Sequence, residues 1–122
     1  MTKQEKIGKV KQTLDSAISS RREREALAAA MTLDERESLR YGLSRSASDE
    51  FRALCTEGIR QCKLNEAKVA RLIRKVGPSY RQLLSAHYID GHTWAEIAED
   101  LNYSETHIHR LHRAALEALA GI

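Results

Sequence analysis

The sequence predicts an all-α protein, and three observations carry that prediction. A chain of 122 residues holds one proline and six glycines, too few turn formers for the many short strands of a sandwich or barrel. Its apolar residues recur at steps of three and four rather than alternating. Ala, Leu, Arg and Glu, all strong helix formers, dominate the composition. The length suits one domain, or a small domain with an extension. The longest uninterrupted apolar run, Ala26 to Met31, is six residues, far short of a membrane span. The lysine-bearing N-terminus also lacks the apolar stretch of a signal peptide. A soluble, cytoplasmic protein is the expectation.

Residues 2–30 read as a first helix, because Ile7, Val10, Leu14 and Ile18 form a narrow stripe near the coiled-coil period. The run Arg21-Arg22-Glu23-Arg24-Glu25 is read as a solvated surface of that helix. Thr32 with Glu35 fits a capping box, predicting a second, short helix from Leu33 that fades near Gly42. Ser44 to Ser48 is the expected loop, with Ser48 capping the next helix.

That third helix runs to about Val76. Phe51, Leu54, Cys55, Gly58, Ile59, Cys62, Val69, Leu72, Ile73 and Val76 lie largely on one stripe. Asn65 interrupts the stripe, either as a buried polar residue that fixes register or as a simple break. A helix of this length, about 43 Å, needs a partner for its apolar face. The first helix folded back as an antiparallel hairpin supplies one; a second subunit is the other possibility. Cys55 and Cys62 on one helix would lie about 10 Å apart, too far for a disulfide, and are expected to be buried free thiols.

Gly77-Pro78 marks the clearest boundary, a helix stop followed by a helix start. A helix over 78–90 is expected to bury Tyr80, Leu83, Leu84, His87 and Tyr88, with Gly91 ending it. Thr93 and Glu96 form a capping box for a short helix, Trp94 to Leu101. Asn102-Tyr103-Ser104 reads as a tight turn, after which Ser104 caps a last helix from Glu105 to about Leu119. The division expected is a helical hairpin over 1–76 and a three-helix unit over 77–122.

The stretch Thr93–Arg113 meets the requirements of a helix-turn-helix unit. Ala98 is small where the helices approach. Asn102 tolerates a left-handed backbone. Ile97, Leu101, Tyr103, Ile108 and Leu111 are spaced to face a third helix. Tyr80, Tyr88, Trp94 and Tyr103 are all expected in its core.

The segment YRQLLSAHYIDGHTWAEIAEDLNYSETHIHRLHRAALEAL resembles region 4 of sigma-70 family factors over roughly Ser79 to Leu119. A long helical hairpin placed in front, with Trp94 and Arg110-Leu111-His112, is similar to small sigma-like regulators of phages and prophages. Asn102 stands where that pattern usually has glycine, and His107 and His109 stand where Lys, Arg or Thr are frequent. The resemblance implies double-stranded DNA as partner, RNA polymerase as a second one, and control of transcription. The hairpin would then serve oligomerisation, as a homodimer, or contact with polymerase.

With Ile108, Leu111 and Ala115 turned inward, Glu105, Thr106, His107, His109, Arg110 and Arg113 face outward. The first turns of such a helix enter the major groove. Arg110 suits a bidentate contact to guanine, Thr106 a thymine methyl and Glu105 a cytosine amino group. Thr93, Ser104, Arg81 and Arg113 are the candidate phosphate contacts. His107, His109 and His112 raise a metal site, but His107 points about 160° from His109, and no metal or cofactor is expected. They also suggest an affinity for DNA that rises as pH falls. Phosphate loops, nucleophile elbows and paired carboxylates are not recognisable, so no catalysis is expected.

Charge complicates the picture. Residues 60–75 carry a balance of +5 and residues 76–122 a balance of −3, with all five histidines in the latter. The basic stripe at 60–75 either lies against DNA flanking a site or is the solvated face of a helix. Two rival readings follow. One is a phage small terminase subunit that recognises DNA and assembles into rings, and the other a helical module that touches only protein.

Overall fold

A computed structural model describes residues 1–42 and 45–121, and the side chains of all these except 45–47. The described residues are predominantly helical, and no strand occurs among them. Helix α1 spans Lys3–Tyr41, α2 Arg45–Ile73, α3 Pro78–Leu84, α4 Trp94–Leu101 and α5 Glu105–Leu119. The all-α class is as the sequence predicts.

Lys3–Tyr41 forms one helix where the sequence predicts two. Thr32 does not cap; its hydroxyl donates to the Ala28 carbonyl at 3.2 Å, and Glu35 pairs with Arg52 of α2. Residues 9–41 contain neither Gly nor Pro, so packing along α2 carries the helix through the polar box. Thr2 caps the start by accepting from the Glu5 amide, and Gly42 ends it at φ 61°. The expected loop at 44–48 is also corrected. Ser44 lies outside the described residues, while Arg45 to Ser48 are already helical. Ser48 donates to Asp34 of α1 at 2.7 Å instead of capping α2.

Helices α1 and α2 form the antiparallel hairpin. Asn65 sets its register, since its amide donates to Ser16 at 3.0 Å and to Ser20 at 2.9 Å across the pair. It is not a simple break. Replacing Asn65 by Ala should cost about 1–2 kcal/mol in a urea melt, because both bonds vanish in a half-buried seam; an unchanged midpoint would refute the role. One turn away, Arg24 grips Glu66 with two bonds, of 2.8 and 3.1 Å. Arg24 and Arg21 therefore depart from the solvated surface expected of the Arg21–Glu25 run. Cys55 and Cys62 are buried free thiols, as expected.

The core crosses from the hairpin into the C-terminal helices. Leu14 and Ala17 of α1 join Val69, Ile73 and Val76, Leu84 and Tyr88, and Ala115 and Leu116 of α5 in one buried cluster. A second, smaller cluster of Leu83, Ile97, Ala98 and Ile108 fills the three-helix unit. Trp94 packs against both. Tyr103 belongs to neither. It is 46% exposed, its ring meeting His107 of α5 edge-on instead of entering the core.

After α3 the chain continues as a π-helical turn, Ser85–Ile89, which the sequence does not announce. The Asp90 amide donates to the Ser85 carbonyl at 2.9 Å, closing the wider ring. That turn buries Tyr88 and stacks His87 on Trp94 at 3.8 Å. Arg21 of α1 then donates to the Ile89 carbonyl at 3.2 Å and lies over Gly91, where φ is 80°. A Cβ at position 91 would meet the Arg21 guanidinium, so glycine serves both the turn and the clamp.

Candidate nucleic-acid interface

The turn between α4 and α5 is built as the sequence requires. The Thr93 hydroxyl accepts from the Glu96 amide at 3.1 Å, and the Glu96 carboxylate accepts from the Thr93 amide at 3.2 Å. That amide bond, seconded by His92, holds the Glu96 carboxyl below its usual range. At the other end Asn102 adopts φ 60°, the left-handed conformation. The Tyr103 amide donates to Ala98 at 2.9 Å and the Asn102 amide to Glu99 at 3.2 Å, closing a Schellman motif. Ser104 caps α5 by accepting from the His107 amide at 3.1 Å. Buried Ile97, Ala98 and Ile108 then fix the crossing of the two helices.

These constraints leave one face of α5 open. Glu105, Thr106, His107, His109, Arg110 and Arg113 are all exposed, with Ile108, Ala115 and Leu116 turned inward. Thr93 and Ser104 lie exposed at the N-termini of α4 and α5. Thr106, His109, Arg110 and Arg113 come together along one groove, of about 570 Å³, whose opposite wall is Ile7 and Lys11 of α1. Glu105 and His107 are not part of that wall; His107 meets the Tyr103 ring edge-on at 4.5 Å. Arg113 lies 3.5 Å from Glu117, which also holds Lys3 of α1 at 3.5 Å. Arg81 is exposed on α3, its guanidinium donating to the Val76 carbonyl at 3.3 Å.

The wall contributed by α1 was not readable from the sequence. Ile7 and Lys11 are more than 90 residues from α5 along the chain, and only the docking of the hairpin brings them there.

The three histidines of α5 part company. His112 turns inward, shares a 2.7 Å hydrogen bond with the Tyr88 hydroxyl and packs on Trp94 at 4.4 Å. Burial, with the nearby charges of His87 and Lys11 secondary, pushes its pKa down to about 4. It is therefore neutral at pH 7 and adds no positive charge to the exposed face of α5.

A stability effect follows from the same shift. Because the folded value lies below the ordinary 6.5, the unfolded chain binds the extra proton first as pH drops. The stabilisation is complete above pH 6.5 and is lost progressively towards pH 4. Allowing for solvent screening of a half-buried ring, the loss should be about 1–2 kcal/mol. Denaturant melts of wild type and His112→Gln across this window check it: the variant should show the shallower fall. Equal slopes would remove His112 from the account.

A family model described as Sigma-70, region 4 matches residues 66–119. No curated protein and no solved structure matches the chain. The match starts inside α2, upstream of the Ser79 at which the sequence resemblance begins, and ends with α5. Its boundaries take in the last turns of the hairpin, the π-helical turn and the helix-turn-helix unit. Over residues 66–119 the chain is therefore similar to sigma-70 region 4, in agreement with the resemblance read from its sequence.

Proposed function

We propose that the protein is a sequence-specific, sigma-like regulator of transcription that reads double-stranded DNA with α5. The observation that carries this is the capped, exposed first half of α5, set by a left-handed Asn102 and a Schellman turn against α4. In this reading Arg110, Thr106, Glu105, His107 and His109 meet base edges, while Thr93, Ser104, Arg81 and Arg113 meet phosphates. Residues 77–122 form the reading unit. Residues 1–76 form the hairpin that makes a homodimer or meets RNA polymerase. Exposed Leu33, Leu39, Tyr41 and Leu54 around the far end of the hairpin support such a contact. The genes served are phage or prophage genes, as the resemblance implies, and the protein acts in the cytoplasm.

Selection of bound sequences from a random duplex pool, followed by a salt titration on the winner, tests the reading. A recovered consensus and a steep negative log–log slope are expected. No binding at low salt, or a slope near zero, would leave the protein-interaction module in its place. Ring-sized particles by light scattering would favour the terminase-like assembly over the regulator.

A further inference from the structure

The sequence leaves the basic stretch at 60–75 with two meanings, and the fold distinguishes what each cation does. Arg60 is taken by Glu57, at 2.8 and 3.0 Å. Glu66, the one acid of the stretch, is taken by Arg24 of α1. Lys68 and Arg71 lie one turn apart on α2, Lys75 follows in the turn just after it, and Lys9 of α1 faces them across a groove of about 460 Å³. Val10, Thr13 and Leu72 complete the lining, so no carboxylate shares it. All four cations are exposed, and among the described residues none of the four makes an ion pair. Their alkyl stems can rest along Val10 and Leu72 while the charged heads stay in water.

We propose that this groove between α1 and α2, lined by Lys9, Lys68, Arg71 and Lys75, is a second DNA contact that holds the phosphodiester backbone of duplex flanking the site read by α5. The inference rests on the DNA-reading function proposed above. Spacing fits it: Lys68 and Arg71 are about 5 Å apart along α2, on the order of the spacing of neighbouring phosphates on one strand, and Lys75 continues the line in the turn beyond. Continuity fits it as well. The stripe ends at Lys75, and the next carbonyl, that of Val76, accepts from Arg81, a phosphate contact of the proposed reading unit. Charge gives the reason for such a surface. Residues 76–122 carry a balance of −3, so the reading unit alone neutralises few phosphates, while this groove adds four cations with no carboxylate among its lining residues. A duplex is favoured over an acidic protein because the stripe runs directly into that unit.

The test compares wild type with the triple variant Lys68→Gln, Arg71→Gln, Lys75→Gln on duplex selected by the wild type, at about four helical turns and trimmed to roughly one and a half. On the long duplex the variant should lose about 2–3 from the log–log salt slope, near 0.9 per phosphate released. Trimming the flanks should lower the wild-type slope by a similar amount and leave the variant nearly unchanged. The variant Lys68→Arg, Lys75→Arg should keep the wild-type slope, and matching thermal melts establish that all three proteins fold. Equal slopes for wild type and triple variant on the long duplex overturn the groove while the reading by α5 stands; an acidic protein surface is then the better occupant. Equal losses on long and trimmed duplex overturn it also. A wild type that binds no duplex at low salt overturns the groove and the DNA function together.

Discussion

Truncating Leu14 to alanine should lower stability by about 3–5 kcal/mol and should do so for the whole chain at once. Leu14 lies on the hairpin but is fully buried among Val69, Ile73, Leu84, Tyr88, Ala115 and Leu116, residues of α2, α3, the π-helical turn and α5. Removing its branched end leaves a cavity where four elements meet, and none can collapse into it without disturbing another. The better helix propensity of alanine returns only a few tenths of a kcal/mol. For a chain of this size the midpoint temperature should fall by about 10–20 °C. Two probes separate the possibilities. Far-UV circular dichroism follows mainly α1 and α2, whereas the single tryptophan, Trp94, reports on the seam between the two clusters. Coincident curves, both shifted, are expected of a shared core. A shift in the dichroism with Trp94 unmoved would mean that the hairpin melts by itself and merely leans on the reading unit.

The local rules were legible wherever the partner of a residue lies within a few positions in the chain. Thr93, Glu96, Asn102 and Ser104 could be assigned their roles because capping boxes and left-handed turns are closed by neighbours. Where a distant partner decides, the sequence misleads. Thr32 and Glu35 have the pattern of a helix start, yet packing on α2 and the pairing with Arg52 keep α1 unbroken past them. Arg21 and Arg24 look like solvent-facing charge, yet one clamps the Ile89 carbonyl and the other holds Glu66, partners 68 and 42 residues away. The π-helical turn has no compositional mark, and the partners that its side chains meet, Trp94 for His87 and His112 for Tyr88, lie in later helices. The exposed face of α5 followed directly from its periodicity. The wall that α1 builds beside it did not, since nothing in a helical stripe says which side of a neighbouring helix it will cover.

Replacing Arg110 by alanine should weaken binding to the selected duplex by about 1–3 kcal/mol, a loss of roughly 5- to 150-fold, and relax the sequence at a single base pair. Arg110 is in the second turn of α5, exposed, and among the described residues has no carboxylate partner. Its guanidinium is thus free to meet the two acceptors of a guanine edge without first breaking an ion pair. Arg113, one turn further on, shares Glu117 with Lys3, so its contribution should be smaller and of another kind. Arg113→Ala should reduce affinity for all sequences alike and the salt slope by about 0.9. Arg110→Lys discriminates charge from geometry: it keeps the positive head near the groove but loses the planar fork, so it should behave nearly as alanine does at the affected base pair. The readout is a second random-pool selection with each variant, set beside the wild-type consensus. If Arg110→Ala lowers affinity evenly across sequences and leaves the consensus intact, Arg110 is a phosphate contact. The base reading then passes to Thr106 and His109, which line the same groove.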